Sequence, residues 1–125
     1  MILSKTILNV VDNSGVRLVK CLKVMKATSS LGRKTEGFCG DIILVSVRLT
    51  KSIEKLKKGS LLKALIVKTI FHSFRVYGKI GFNKNAVILL NKKNEPLGNR
   101  IFGVISRESL DKNFVKFESI KLRDI

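Results

Sequence analysis

Two short apolar runs, residues 61–67 and 86–90, lie inside the most basic part of this chain. The surrounding stretch, residues 51–93, contains eleven Lys or Arg residues and a single acid, Glu54. Runs of this length, rich in Val, Ile and Leu, are typical of buried β-strands. The fold must therefore bury these runs while keeping a strong positive field beside them, and such self-repulsion indicates an anionic partner.

The charge of the whole chain indicates the same class of partner. The net charge is +16 on 14.0 kDa, and the pI is about 10.3. A surface charge that serves only solubility is smaller than this, and binding to an anionic membrane usually needs a basic amphipathic helix or a lipid anchor, neither of which the sequence shows. Nucleic acid is therefore the favoured partner, and no membrane partner is expected.

Short β-strands at regular spacing organise most of the chain. Since 125 residues with 45% hydrophobic composition suit one folded domain, we expect a single mainly β unit, and strands without intervening helices favour a small closed β-barrel. Ser106 and Asn113 can cap short helices near the C-terminus. The strands are predicted over residues 6–11, 17–28, 41–49, 60–70 and 85–91, with a hairpin arm between the last two.

The strand over residues 41–49 shows the clearest alternation. Ile43, Val45, Val47 and Leu49 are predicted to face the core, and Arg48 to face outward. Turn-forming residues punctuate the predicted strands, and residues 12–15 give the strongest signal. Structural turn roles are assigned to Asp12, Asn13, Ser14, Gly15, Gly40, Asp41, Gly59, Gly98 and Gly103.

The sequence contains little that suggests catalysis. His72 is the only histidine, the nine acids are scattered, and no Ser, Cys or Lys lies in a nucleophile motif. Cys21 and Cys39 are too far apart in sequence from each other and from His72 to indicate a metal site, so we interpret them as small buried hydrophobes in a reducing compartment. We therefore predict no enzyme, no catalytic residue, no cofactor, no metal and no small-molecule substrate.

Two kinds of side chain suit RNA. Long lysines such as Lys57 and Lys58 can reach phosphate oxygens, and Arg75 beside Phe74 and Tyr77 can stack on exposed bases. A helix that reads the major groove of DNA is not evident. Small β-barrels more often bind structured or single-stranded RNA through its backbone and shape.

Seven segments of the chain together resemble one family. The chain is similar, from Leu3 to its C-terminus, to the universal large-subunit ribosomal protein fourteen family, because all seven segments occur in that family's order. They are Leu8-Asn-Val-Val-Asp-Asn-Ser-Gly15, Cys21-Leu-Lys-Val24, Gly40-Asp-Ile-Ile43, Lys57-Lys-Gly-Ser-Leu-Leu-Lys-Ala64, Asn85-Ala-Val-Ile-Leu-Leu-Asn91, Gly98-Asn-Arg-Ile-Phe-Gly103 and Ser106-Arg-Glu108.

The resemblance implies a five-stranded closed β-barrel with a projecting β-ribbon and short C-terminal helices. Residues 1–125 would form one ribosomal-protein domain, with the barrel over 1–104, the ribbon at about 68–84 and the helices over 105–125. It also implies a structural role in the large ribosomal subunit, direct binding to large-subunit rRNA at the face meeting the small subunit, and contributions to intersubunit bridges. Implied partners are small-subunit rRNA, neighbouring ribosomal proteins (number nineteen among them) and a ribosome-silencing factor.

Taken with the charge pattern, the resemblance predicts an rRNA-binding set of basic residues. Two alternatives stay open: a free-standing small-barrel protein that binds single-stranded nucleic acid, and an adaptor that binds a protein through its apolar arm. The predicted set is Arg17, Lys20, Lys23, Arg48, Lys51, Lys55, Lys57, Lys58, Lys63, Lys68, Arg75, Lys79, Arg100 and Arg107.

The chain also departs from the family pattern. Residues 71–78 of the ribbon are more apolar than usual, with Tyr77 where an Asp is expected, and Val104 replaces the usual Pro after Gly103. Lysine outnumbers arginine by 18 to 7, and the N-terminus resembles neither a signal nor a transit peptide. These features favour a protein encoded within a mitochondrion and acting in the mitochondrial matrix, with a bacterial cytoplasm or plastid stroma as alternatives.

Overall fold

A closed five-stranded β-barrel forms the centre of the molecule. The computed structural model describes residues 2–25, 36–51, 57–70, 73–75, 78–98, 100–107 and 123–124. The barrel order is β1-β2-β3-β4-β7, which confirms the predicted mainly β barrel. In chain order the strands are β1 Ile7–Val10, β2 Val16–Val24, β3 Ile42–Thr50, β4 Leu61–Lys68, β5 Ser73–Arg75, β6 Gly78–Ile80, β7 Ala86–Leu90, β8 Val104–Ile105 and β9 Arg123–Asp124.

Neighbouring barrel strands are antiparallel except at the closing pair. Leu8 of β1 lies opposite Val19 of β2, and Val19 lies opposite Val47 of β3. The barrel closes where β1 runs parallel to β7, with Asn9 opposite Ala86. Because every barrel strand has a neighbour on both sides, the barrel has no open sheet edge.

Alternate residues of the barrel strands point inward and form the main hydrophobic core. β-branched side chains dominate this core, as expected for side chains that pack on a pleated surface. Its buried members are Ile2, Leu8, Val16, Val19, Cys21, Val24, Ile43, Val45, Val47, Ala64, Ile66, Val87 and Leu89.

A second apolar cluster covers the outer face of β4 and β7. Leu65 and Ile88 point away from the barrel interior, yet both are buried because Ile101 and Ile105 pack with them. Backbone bonds from Phe102 N to Val11 O, at 2.7 Å, and from Ser106 N to Val67 O, at 2.9 Å, hold this cover in place. Burial on both faces explains why residues 86–90 are continuously apolar and do not alternate.

A two-stranded ribbon is inserted between β4 and β7. β5 and β6 pair antiparallel, with Phe74 opposite Lys79, in a sheet separate from the barrel. At the C-terminal end, β8 and β9 form a short parallel pair. The helices predicted after Ser106 and Asn113 fall mainly on residues 108–122, which lie outside the described residues, as do residues 29–35 of the predicted long loop.

One prediction about the inner face of β3 is wrong. Leu49 was expected to face the core with Val47, but its side chain is 48% exposed. The register of β2 and β3 shifts between the pairs Leu18–Leu49 and Val19–Val47, so no residue of β2 lies directly opposite Arg48. Beyond such a shift, the side chains that the alternation assigns to the core face solvent instead. The pattern of apolar residues in the sequence does not reveal where the shift occurs.

Candidate nucleic-acid interface

The turn between β1 and β2 is anchored by the carboxylate of Asp12, which is buried. Its Oδ1 accepts hydrogen bonds from Ser14 N at 3.1 Å and Ser14 Oγ at 2.5 Å. Its Oδ2 accepts a bond from the backbone N of Leu89 at 3.0 Å. The side chain thus fixes the shape of its own turn and also ties that turn to the end of β7.

Two distant parts of the chain bind to the same turn. The backbone N of Arg100 donates to Asn13 Oδ1 at 3.2 Å, and that of Lys51 donates to Gly15 O at 2.7 Å. Gly98 makes this approach possible, because a Cβ at its position would lie 2.6 Å from Asn13 Oδ1. Gly15 itself has φ of 96°, a conformation that side-chain-bearing residues rarely adopt.

The connection between β3 and β4 lies at this end of the barrel as well. Ser60 N donates to Lys57 O at 3.0 Å, and Gly59 N donates to Val47 O at 2.8 Å, which folds the connection back onto the end of β3. Lys57 and Lys58 are both exposed in this turn. The other predicted turn residues are also in tight turns or local bonds: φ is 92°, 88° and 80° at Gly40, Gly59 and Gly103, and Asp41 Oδ2 accepts from Phe38 N at 2.8 Å.

The fold therefore brings six exposed cations to one end of the barrel. Among the described residues at this end, the carboxylates are Asp12, which is buried, and Glu95, which is half-buried. The electrostatic potential at this end is consequently positive, and the side chains of the six cations extend into solvent. We call this set the basic rim: Arg17, Arg48, Lys51, Lys57, Lys58 and Arg100.

Three further predicted residues lie on the outer wall of the barrel. Lys23 lies opposite Leu44, which lies opposite Lys63 on the next strand, and Lys20 lies opposite Ser46. Lys63 Nζ donates to Asn94 Oδ1 at 3.4 Å. These lysines lie along the wall, and Leu44 separates Lys23 from Lys63 across the strands.

The remaining predicted residues belong to the opposite end, where the ribbon leaves the barrel. Lys68 is half-buried, and its Nζ lies 6.0 Å from the centroid of the Phe82 ring. Burial, together with the nearby charge of Lys84, lowers the pKa of Lys68. Lys79 is exposed on β6. Arg107 directly follows Ser106, whose backbone N donates to Val67 O near the end of β4. The backbones of the described members of the predicted set thus lie at both ends of the barrel and on the wall between them.

Part of the prediction falls outside the described residues. Lys55 and Tyr77 lie there, and the side chains of Phe74 and Arg75 are outside the description as well. Base stacking by the arm therefore stays a prediction.

Sequence reasoning also missed residues near the rim. Lys92 and Lys93 are exposed in the turn after β7, which ends on the rim side of the barrel. Their adjacent charges in a turn-rich loop were a visible signal. Phe102, whose side chain is 49% exposed, gave no comparable signal, because residues 100–103 are indistinguishable by pattern from a short buried strand.

The described residues offer few groups for other chemistry. Within them, no three His, Cys, Asp or Glu side chains are grouped to bind a metal. Cys21 and Cys39 are free and buried, and burial raises the pKa of the Cys21 thiol, which disfavours its reactive thiolate. No helix in the described parts of the chain has the length and apolar character to span a membrane.

Fold and surface together define a small, strongly basic β-barrel protein with six exposed cations gathered at one end. The model of the family described as Ribosomal protein L14p/L23e matches residues 1–122, so the chain belongs to this family. The resemblance found in the sequence is confirmed. The chain is accordingly a large-subunit ribosomal protein from a family that is structural rather than catalytic, and its place is in a ribosome.

Proposed function

We propose that the protein binds large-subunit rRNA directly and that the basic rim is its main contact. The observation that carries this proposal is the gathering of six exposed cations from four separate parts of the chain at one barrel end. Folded RNA presents phosphate oxygens over its surface, and the rim presents long cationic side chains suited to them on a backbone fixed by the Asp12 turn.

Phosphate neutralisation supplies most of the affinity in this mechanism. Each rim cation that contacts a phosphate releases condensed counterions, so binding weakens steeply as salt is added. If all six contact phosphates, affinity falls roughly 10³-fold between about 50 and 200 mM salt. The rigid barrel holds the cations in fixed relative positions, which lets the protein select an RNA surface by shape.

A paired charge reversal tests the rim. We expect Lys57→Glu with Lys58→Glu to weaken binding to large-subunit rRNA and to lower the slope of log affinity against log salt by about 2, because two phosphate contacts are lost. The matched control is Lys5→Glu with Lys84→Glu, which changes the net charge equally with two exposed lysines away from the rim. An equal loss in both variants would mean that net charge alone, and not the rim, determines binding.

The family membership supports a more specific placement. We propose that the protein lies at the face of the large subunit that meets the small subunit and contributes to intersubunit bridges with small-subunit rRNA. Neighbouring ribosomal proteins, number nineteen among them, and a ribosome-silencing factor are its proposed protein partners. It would act without catalysis, cofactor or small-molecule substrate, in a mitoribosome of the mitochondrial matrix.

Gradient sedimentation tests this placement. The proposal requires the protein to migrate with the large subunit of purified mitochondrial ribosomes. Recovery only as free protein that still binds generic oligonucleotides would instead support a free-standing single-strand-binding module. Recovery on bacterial-type or plastid ribosomes, with none in mitochondria, would keep the ribosomal role and overturn the mitochondrial location.

A further inference from the structure

We propose that a pocket in the basic rim receives one unstacked nucleotide of the bound RNA. This inference rests on the RNA binding proposed above and adds a specific site to it. The pocket has a volume of about 390 Å³ and opens beside the β1–β2 turn. That volume lies within the range of roughly 300–1,000 Å³ found for small organic ligands, and it greatly exceeds the space needed by an ion or one water molecule.

One side of the pocket suits a flat aromatic ligand. Phe102 lines it, and 49% of the Phe102 side chain is exposed although the backbone N is held by Val11 O at 2.7 Å. Val10 and Val16 add apolar surface. An exposed phenylalanine ring on a fixed backbone is a stacking platform for a nucleobase, and such platforms accept any base.

The other side suits a phosphate. Arg17 and Lys51 both line the pocket and both are exposed. The backbone N of Lys51 donates a hydrogen bond to Gly15 O, so the Cα from which the lysine side chain extends has a fixed position. Asp12 also lines the pocket, but its two carboxylate oxygens already accept three hydrogen bonds from Ser14 and Leu89, which occupy them within the protein.

The combination identifies the ligand class. A phosphate or carboxylate alone would use Arg17 and Lys51 and leave Phe102 and the valines without contact. A base within a duplex is stacked on both faces and cannot enter a pocket, so only an unstacked nucleotide presents a free base and a phosphate together. The position within the rim makes a nucleotide of the bound RNA the occupant, because the neighbouring cations hold that RNA alongside.

The test compares two exposed phenylalanines. Phe102→Leu removes the ring and keeps apolar bulk, whereas Phe38→Leu makes the same change at an exposed site outside the pocket. We expect Phe102→Leu to weaken binding to large-subunit rRNA by about 5- to 100-fold at fixed salt, with an unchanged salt slope, because stacking carries no counterion release. Phe38→Leu is expected to stay within about twofold of the wild type, and Phe102→Tyr, which retains a ring, is expected to keep most of the affinity.

Crosslinking provides the second readout. Ultraviolet irradiation of the wild-type complex with large-subunit rRNA, followed by peptide mapping, should place a crosslinked nucleotide on the peptide containing Phe102. Wild-type affinity for Phe102→Leu, with crosslinks confined to other peptides, would overturn the pocket and leave rRNA binding intact. Absence of rRNA binding by the wild type would overturn both proposals. Tight binding of free mononucleotides by the protein would overturn the assignment to RNA.

Discussion

Replacing Asp12 by alanine should destabilise the barrel and loosen the basic rim. The carboxylate is buried and accepts bonds from Ser14 N, Ser14 Oγ and Leu89 N. Alanine leaves the Leu89 N–H buried without a partner, which costs about 1–3 kcal/mol. The lost charge-assisted bonds to Ser14 add about 1–2 kcal/mol, because they are only partly buried. The free energy of unfolding should therefore fall by about 2–5 kcal/mol in total.

Denaturant unfolding followed by circular dichroism measures this change. Asp41→Ala is the matched control. Asp41 Oδ2 accepts a hydrogen bond from Phe38 N at 2.8 Å and so also fixes a turn, but this bond is exposed. We expect that variant to lose no more than about 1 kcal/mol. Equal losses for the two variants, or a loss below about 1 kcal/mol for Asp12→Ala, would refute the role of Asp12 as the anchor of the turn.

Two further predictions concern the core and the ribbon end. Leu65→Ala should lower the free energy of unfolding by about 2–5 kcal/mol, because Leu65 is buried in the second apolar cluster. The control Leu61→Ala, on the same strand, should change stability little, because Leu61 is 60% exposed. Similar losses for the two variants in denaturant unfolding would contradict the packing. Lys68 has a pKa below its usual value, so its charged form is disfavoured in the folded protein, and Lys68→Met should be more stable relative to wild type at neutral pH than near pH 10.5. At a pH below the pKa of Lys68 in the folded protein, the charged ammonium lowers the free energy of unfolding by its full amount. This cost disappears above the pKa of lysine in the unfolded chain, about 10.4, because the group is then neutral in both states. A difference in stability between Lys68→Met and wild type that does not change with pH would contradict this.

The strands were the most predictable part of the molecule. The apolar runs at 86–90 and 61–67 became β7 and most of β4. Burial on both faces explains the continuous run of β7 and the stretch of β4 from Ala64 to Val67. The turn at residues 12–15 was equally readable, since Asp, Asn, Ser and Gly all favour local bonds or positive φ.

Long-range pairing set the limit of prediction. Arg100 and Asn13 are 87 residues apart in sequence, so no local pattern could show that Arg100 joins the rim. The same holds for Lys51, which is held at Gly15. Leu49 was misplaced because a single register shift beside Arg48 changes which side chains face the core. The basic residues were identified from composition, but their distribution over both ends and the wall of the barrel came only from the topology.

The pocket beside Phe102 had the weakest sequence signal. Its lining comes from β1, the β1–β2 turn, β2, Lys51 and the segment after Gly98. Each part reads separately as strand or turn. Only the closed barrel brings the ring and the two cations together, which is why base stacking was predicted on the arm and not here.

Lysine labelling of the protein, free and bound to large-subunit rRNA, tests the central claim most directly. A lysine-reactive reagent and peptide mapping would report the accessibility of each exposed ammonium group. We expect rRNA to protect Lys51, Lys57 and Lys58 strongly, because the basic rim contacts phosphates, and to leave Lys5 reactive. Protection of Lys5 with unchanged labelling of Lys57 and Lys58 would contradict the account and place the RNA elsewhere on the barrel.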